Sequence, residues 1–121
     1  MKDKKIILIG GAGYLGRVIS NQLYKKFKLV IFDKKKIFSK NAHFIKGDLL
    51  NKKDLNKIPK DIETCIFLTG ITGGPDSVLE KNAVRYIDYN CQTLINYLSH
   101  PNTKSLKKII FFSTEQVYGD S

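Results

Sequence analysis

The chain has 121 residues, of which 42% are hydrophobic, so it is long enough to bury one core but not several. Its 21 basic and 11 acidic side chains give a net charge of +10, but the lysines are spread along almost every segment and are not interleaved with aromatic residues. This pattern argues against a nucleic-acid-binding domain. The apolar runs are too short for a signal peptide or a membrane span, so we expect a cytoplasmic protein.

The first predicted element is a strand over residues 5–9, a continuous apolar run that ends at glycines, as in strands buried on both faces. A helix follows it, because apolar side chains recur at helical spacing between residues 15 and 24. Two further short apolar runs, 28–32 and 43–45, predict the second and third strands.

A short surface helix is predicted to begin near Asn51, whose side chain can cap it. The fourth strand is predicted over residues 64–68, and a long helix runs from about Ser77 to Ser99, before Pro101. Residues 108–112 predict the fifth strand.

Two cysteines, Cys65 and Cys91, are too few and too far apart for a metal-binding cluster. Each lies in an apolar or helical stretch, so both are expected in the core, and no metal site is predicted. Strands that alternate with helices, and that are apolar runs, predict a parallel sheet with helices on both faces. We expect about five strands in the order 3-2-1-4-5.

Residues 10–16, Gly-Gly-Ala-Gly-Tyr-Leu-Gly, join the first strand to the first helix, where a Rossmann fold holds a dinucleotide pyrophosphate. One glycine permits the tight turn and another lets the backbone approach the phosphates, while Gly16 allows the helix to pack closely on the strand. Asp33 ends the second strand, where a carboxylate can accept from both ribose hydroxyls. A surface aspartate that merely ends a strand is the alternative.

The carboxylate of Asp33 would repel a 2′-phosphate, so the sequence favours NAD over NADP as the cofactor. The three lysines that follow it, Lys34, Lys35 and Lys36, keep NADP open, because a neighbouring cation could offset that repulsion.

With these motifs in place, the whole chain resembles the N-terminal portion of the extended short-chain dehydrogenase/reductase family, the NAD-dependent epimerases and dehydratases that include UDP-galactose 4-epimerase. The family's Gly-x-x-Gly-x-x-Gly signature is matched by Gly10, Gly13 and Gly16. The resemblance assigns these glycines, together with Tyr14 and Leu15, to the cofactor site.

The segment Gly47-Asp48-Leu49 looks like the family's Gly-Asp-Leu after the third strand. The resemblance implies that Asp48 binds the adenine amino group and that Leu49 lines the same site. From the residues alone, Asp48 could equally be a turn or helix-entry residue.

Two further segments carry cofactor residues in the family. Leu68, Thr69 and Gly70 occupy the place that passes the nicotinamide ribose, with Thr69 in place of the usual alanine. Asn90 matches the first asparagine of the family pattern Asn-x-x-Gly-Thr-x-Asn, and Asn96 matches the last. The Gly-Thr of that pattern is missing here, so a plain amphipathic helix is the alternative.

Residues 113–119, Ser-Thr-Glu-Gln-Val-Tyr-Gly, resemble the family's Ser-Ser/Thr-x-x-Val-Tyr-Gly. The resemblance implies that the Thr114 hydroxyl hydrogen-bonds the sugar C4 oxygen during hydride transfer, which makes Thr114 the catalytic candidate; a turn that ends a strand is the alternative. The dehydratases have Asp-Glu at the next two positions, where this chain has Glu115 and Gln116. Gln116 cannot transfer a proton at neutral pH, so epimerase or reductase chemistry is favoured.

The family's catalytic Tyr-x-x-x-Lys lies beyond the Val-Tyr-Gly segment, and the sequence ends at Ser121. We therefore expect residues 1–121 to form a truncated Rossmann-type doubly wound domain that binds NAD and shows no turnover alone. An exposed fifth strand, and self-association or a homodimer, are also expected.

The sequence thus predicts the NAD-binding portion of a nucleotide-sugar epimerase or reductase, with a nucleotide-sugar as the substrate of the complete enzyme and neither nucleic acid nor membrane as a partner. A non-catalytic dinucleotide-binding or sensor module is the alternative. Thr114 favours the enzyme, because a sensor needs no hydroxyl at a sugar carbon.

Overall fold

The computed structural model of the protein describes residues 4–35, 41–68 and 80–112. These residues form five strands: β1 (Lys5–Ile9), β2 (Lys28–Asp33), β3 (His43–Lys46), β4 (Thr64–Phe67) and β5 (Lys108–Phe111). The helices are α1 (Tyr14–Leu23), α2 (Lys52–Leu55) and α3 (Glu80–Ser99), and a 3₁₀ turn at Pro101–Thr103 follows α3. None of the helices in these ranges has the length and hydropathy needed to cross a membrane.

All paired strands are parallel, and they lie in the order β3-β2-β1-β4-β5. The predicted strand order and the Rossmann-type architecture are therefore confirmed. The carboxyl ends of parallel strands lie at the same end of the sheet, so the residues that follow β1, β2 and β3 come together there.

Each face of the sheet buries its own core, which is the physical reason for the continuous apolar strands. On one face α1 contributes partly buried Ile19 and Leu23. On the other face α2 and α3 contribute Leu55 and Tyr97. The fold is thus doubly wound, as predicted.

The helices differ from the predictions only in detail. α2 is a single turn, and Asn51 caps it by accepting a hydrogen bond from the Lys53 amide at 2.9 Å. The predicted start of the long helix near Ser77 lies outside the described residues, which include α3 from Glu80 onward.

One predicted core residue is placed wrongly. Cys65 is buried, as expected, but Cys91 is exposed, as are Ile95 and Leu98 one and two turns further along α3. The buried stripe of α3 instead carries Thr93 and Tyr97. The spacing of the apolar side chains along α3 predicted a buried stripe through Cys91, and the structure buries a neighbouring stripe instead.

β5 lies at the edge of the sheet and is exposed along its length, as expected. Ile109 is 38% exposed and Phe111 is 53% exposed, although the Phe111 ring stacks on Phe67 with centroids 5.5 Å apart. Self-association through this edge stays a prediction.

Polar side chains fix the connection between α3 and β5. This connection lies at the amino ends of the strands, opposite the end of the sheet where the glycine turn lies. The Asn102 side-chain amide donates to the carbonyl of Ile58 at 2.8 Å, and the Ser105 hydroxyl lies 2.8 Å from the carbonyl of Ile62. These bonds tie the entry into β5 to the entry into β4.

Candidate dinucleotide-binding site

The turn after β1 begins at Gly10, whose φ of 80° lies in the left-handed region that favours glycine. The Gly10 amide donates to the carbonyl of Phe32 at 2.8 Å, so the pairing between β1 and β2 extends into the turn. The turn is therefore fixed relative to the end of β2, where Asp33 lies.

Gly13 is the N-cap residue of α1, and no side chain caps this helix. A Cβ atom added at Gly13 would meet no heavy atom within 4 Å. The next two side chains are exposed, Tyr14 by 79% and Leu15 by 44%. The first turn of α1 thus offers amide donors and the positive end of a helix dipole beside open space, which is an arrangement that binds anions.

Gly16 is buried where α1 crosses the turn. A Cβ atom at Gly16 would lie 2.5 Å from the Cα of Gly11, so no larger residue fits without moving backbone. Gly16 was expected to permit close packing of the helix on the strand, but the close contact is with the turn itself. Gly11 in turn packs against Leu8 and Ile31, which fixes the turn on the sheet.

Asp33 holds the glycine turn from the end of β2. Its Oδ2 accepts a hydrogen bond from the Ala12 amide at 3.0 Å, and its Oδ1 accepts one from the Lys35 amide at 2.9 Å. Each carboxylate oxygen can accept a second hydrogen bond. The half-buried carboxylate therefore combines a structural role with spare capacity for a pair of hydroxyl donors.

Asp48 forms a turn after β3. Its Oδ1 accepts from the Leu50 amide at 2.9 Å, and its own amide donates to Asp54 at 2.9 Å. This second bond is the main cause that lowers the pKa of Asp54 below its ordinary value. The turn interpretation of Asp48 is confirmed, and its contact with adenine stays a prediction.

The loop after β3 is packed against its surroundings on both sides. A Cβ atom at Gly47 would lie 2.5 Å from the Phe32 ring. Leu49 is buried, and its carbonyl accepts from the Asn96 side-chain amide at 2.9 Å. Asn96, which matches the family pattern, thus positions this loop relative to α3.

A narrow cleft lies between these elements and contains three of the predicted cofactor residues, Gly10, Asp33 and Leu49. It is lined by Ile9, Gly10, Phe32, Asp33, Lys34, Gly47, Leu49 and Tyr89. Asp48 lines an adjoining cavity that shares Lys34 and Gly47 with the cleft. The structure therefore brings together the residues predicted at the ends of β1, β2 and β3.

Several predicted residues do not line this cleft or lie outside the described ranges. Leu68 extends β4, since its amide donates to the carbonyl of Ile9 at 2.8 Å. Thr69, Gly70 and Thr114 lie outside the described residues, and of Asn90 only the backbone, within α3, is described.

Neither Tyr89 nor the amide of Ala12 was predicted from the sequence to be part of the site. The Lys34 Nζ atom lies 4.9 Å from the centre of the Tyr89 ring, and hydrogen bonding to Tyr89 is the main cause that raises the pKa of Lys34. An aromatic residue directly before Asn90 was visible in the sequence, but only the crossing of α3 over the end of β2 brings it to Lys34.

The family model of the NAD-dependent epimerases and dehydratases matches residues 6–121. The chain belongs to this family. Over 131 aligned residues it is 30% identical to a UDP-glucose 4-epimerase from Klebsiella pneumoniae, covering 96% of the chain and 93% of that protein. It is also 30% identical to a dTDP-D-glucose 4,6-dehydratase from Dictyostelium discoideum, covering 96% of the chain but 30% of that protein.

A solved epimerase structure is also similar to this epimerase/dehydratase-family chain. The UDP-N-acetylglucosamine 4-epimerase from Methanobrevibacter ruminantium M1, in complex with UDP-N-acetylmuramic acid, superposes with a TM-score of 0.78 and 31% identity. The match covers 100% of this chain and 41% of that one. The 121 residues thus span well under half of the Dictyostelium and Methanobrevibacter proteins.

Proposed function

We propose that this chain is the NAD-binding portion of a nucleotide-sugar epimerase, or of a related reductase, that acts at the sugar C4. The observation that carries the proposal is the 3.0 Å hydrogen bond from the Ala12 amide to Asp33. It holds a hydroxyl-accepting carboxylate beside the uncapped start of α1. An anion site next to an acceptor for paired hydroxyls fits the pyrophosphate and ribose of a dinucleotide.

In this proposal the residues at the ends of the first three strands divide the cofactor among them. The turn of residues 10–16 receives the pyrophosphate, with Tyr14 and Leu15 offering backbone amides from the first turn of α1. Asp33 accepts from the ribose hydroxyls, and Asp48 and Leu49 border the adenine. The open space at Gly13 supports this fit.

The choice of NAD over NADP rests on the charge of Asp33. Its carboxylate makes no ion pair among the described residues, where the salt bridges are Lys5 with Asp61 and Lys57 with Asp54. An unpaired carboxylate favours hydroxyls and repels a 2′-phosphate.

The chemistry at C4 is proposed from the relatives' names and from the residues that follow β5. NAD, when bound, supplies the hydride acceptor and donor for such chemistry. Thr114 would donate a hydrogen bond at the sugar C4 oxygen, Leu68, Thr69 and Gly70 would border the nicotinamide ribose, and Asn90 would belong to the same cofactor site. The K. pneumoniae and M. ruminantium relatives are both 4-epimerases by name, and Gln116 cannot take up the proton that a dehydratase needs to accept at that position.

Calorimetric titration of the 121-residue chain with NAD tests the proposal. We expect saturable binding that weakens at least about tenfold in Asp33→Ala, because charge-assisted hydrogen bonds to the ribose are lost. Asp61→Ala is the matched control, since it removes the same charge at the amino ends of the strands, where Asp61 pairs with Lys5 at 2.9 Å.

Two results would contradict the proposal. One is the absence of NAD binding by a chain whose circular dichroism shows that it is folded. The other is equal weakening by Asp33→Ala and Asp61→Ala, which would point to a general loss of folding stability instead of a site at Asp33.

A further inference from the structure

Lys34 directly follows Asp33, yet its ammonium group does not pair with that carboxylate. The ion pairs of the described residues involve other lysines, Lys5 and Lys57. The Nζ atom of Lys34 instead lies 4.9 Å from the centre of the Tyr89 ring. A cation at this distance over an aromatic face is attracted by the ring electrons.

Tyr89 is well placed to hold this cation. It is half-buried on α3, and α3 is fixed to the loop after β3 by the 2.9 Å hydrogen bond from Asn96 to the carbonyl of Leu49. Tyr89 is also the main cause that raises the pKa of Lys34, and the charges of Asp48 and Asp33 raise it as well. The ring is therefore part of a rigid element, whereas Lys34 is on an exposed stretch after β2.

Both side chains line the cleft that also contains Asp33. A dinucleotide with a 2′-phosphate would place two negative charges near Asp33, and such a phosphate needs a cation close by. Lys34 is the cation next to Asp33 in the chain, but its ammonium is already engaged by Tyr89. An NAD ribose, which carries hydroxyls there, needs no such cation.

We propose that Tyr89 is a positioning residue that favours NAD over NADP, because it holds the Lys34 ammonium on its ring and so withholds that cation from a 2′-phosphate. The inference rests on the proposed function and adds a determinant of cofactor choice on α3.

The test compares the dissociation constants for NAD and NADP, measured by calorimetry on the 121-residue chain. In Tyr89→Leu the released Lys34 is expected to strengthen NADP binding relative to NAD by about two- to fivefold, because the gain cannot exceed the strength of the exposed cation–π contact that is lost. Adding Lys34→Met to Tyr89→Leu should abolish this gain. Tyr24→Leu is the matched control, since Tyr24 faces Lys25 at 5.9 Å far from the cleft, and it should leave the ratio unchanged.

A second readout follows the contact itself without any nucleotide. Ring currents of Tyr89 should shift the ε-methylene protons of Lys34 upfield in the NMR spectrum, and Tyr89→Leu should remove that shift. The absence of the shift in the wild type would overturn the inference, as would an unchanged ratio in Tyr89→Leu.

The outcomes separate this inference from the proposed function. NAD binding that depends on Asp33, with a ratio that does not respond to Tyr89→Leu, overturns the inference alone. If the folded wild-type chain binds neither nucleotide, the proposed function and the inference both fail.

Discussion

β1 and β5 are built from almost the same residues, Lys-Ile-Ile-Leu-Ile and Lys-Ile-Ile-Phe, and they pair with opposite edges of β4. Their surroundings are nevertheless opposite. Ile7 in β1 is fully buried, whereas Ile109 in β5, which flanks the same residue Cys65 from the other side, is 38% exposed. The difference shows that position in the sheet, and not the local sequence, decides what an apolar strand contributes to stability.

The central position of β1 in the sheet also explains where the candidate site lies. β1 and β2 are central strands, and both end at the site, one in the glycine turn and the other in Asp33. Because the cores on both faces fix these strands, the atoms that would meet a cofactor are held without help from the ligand.

The largest expected effect tests the comparison directly. Ile7→Ala should lower the free energy of unfolding by about 4 kcal/mol, because it leaves a cavity in a sealed core. Ile109→Ala, at the matching position of β5, should cost about 1 kcal/mol, because water already reaches that side chain. Urea unfolding followed by circular dichroism measures both. Equal losses would mean that β5 is covered in solution.

The next effect concerns the turn into which β1 leads. Gly16→Ala should cost about 3 kcal/mol, because the new methyl group would collide with the backbone of Gly11. Gly13→Ala is the matched control, since its methyl group would enter open space, and it should change stability by less than about 1 kcal/mol. Thermal unfolding of both variants separates the two glycines; similar losses would contradict the tight contact at Gly16.

A third effect concerns Cys65, which lies between β1 and β5 in the sheet. Burial raises the pKa of the Cys65 thiol from 9.0 to about 12. Because the pKa of this thiol is higher in the folded state, its contribution to folding stability is fully present below pH 9.0 and is lost as the pH rises toward about 12. At about pH 10 the loss should be on the order of 1 kcal/mol.

Urea unfolding at about pH 8 and at about pH 10 checks this loss. Cys65→Ala should lose correspondingly less stability than the wild type between the two pH values. Cys91→Ala, which changes the exposed cysteine, should lose as much stability as the wild type. The same pH difference in wild type and Cys65→Ala would show that the thiol reaches solvent in the folded chain.

The smallest effect on stability concerns the exposed edge. Ile110 is 41% exposed, so Ile110→Lys should change the free energy of unfolding by only about 0.5 kcal/mol. It should nevertheless reduce concentration-dependent self-association in sedimentation velocity, because a charge on an edge strand opposes pairing. Ile95→Lys, on the exposed side of α3, is the control. Association that responds to Ile95→Lys alone would place the contact on α3.

Much of the fold was predictable because strong local signals coincide. The apolar runs and the glycine turn gave the strands, and Asp33 followed from its place at the end of β2. Cys91 was misjudged because the stripe of α3 that meets the sheet depends on how the helix crosses it, and that crossing buries Thr93 and Tyr97 instead.

The candidate site likewise contains residues that the sequence predicted and a contact that it did not predict. Gly10, Gly13, Gly16 and Asp33 were predicted from spacing, since each role depends on neighbours close in the chain or on the order of strands. The contact of Lys34 with Tyr89 was not, because it joins residues 55 positions apart through the packing of α3.

The sequence by itself determined the alternation of strands and helices, the turn after β1 and the carboxylate after β2, because backbone preferences and hydrophobic periodicity act over a few residues. Only the tertiary structure decided which stripe of α3 is buried and where the Lys34 ammonium lies. These features depend on which distant segments become neighbours, and burial and electrostatic energies are set by neighbours in space.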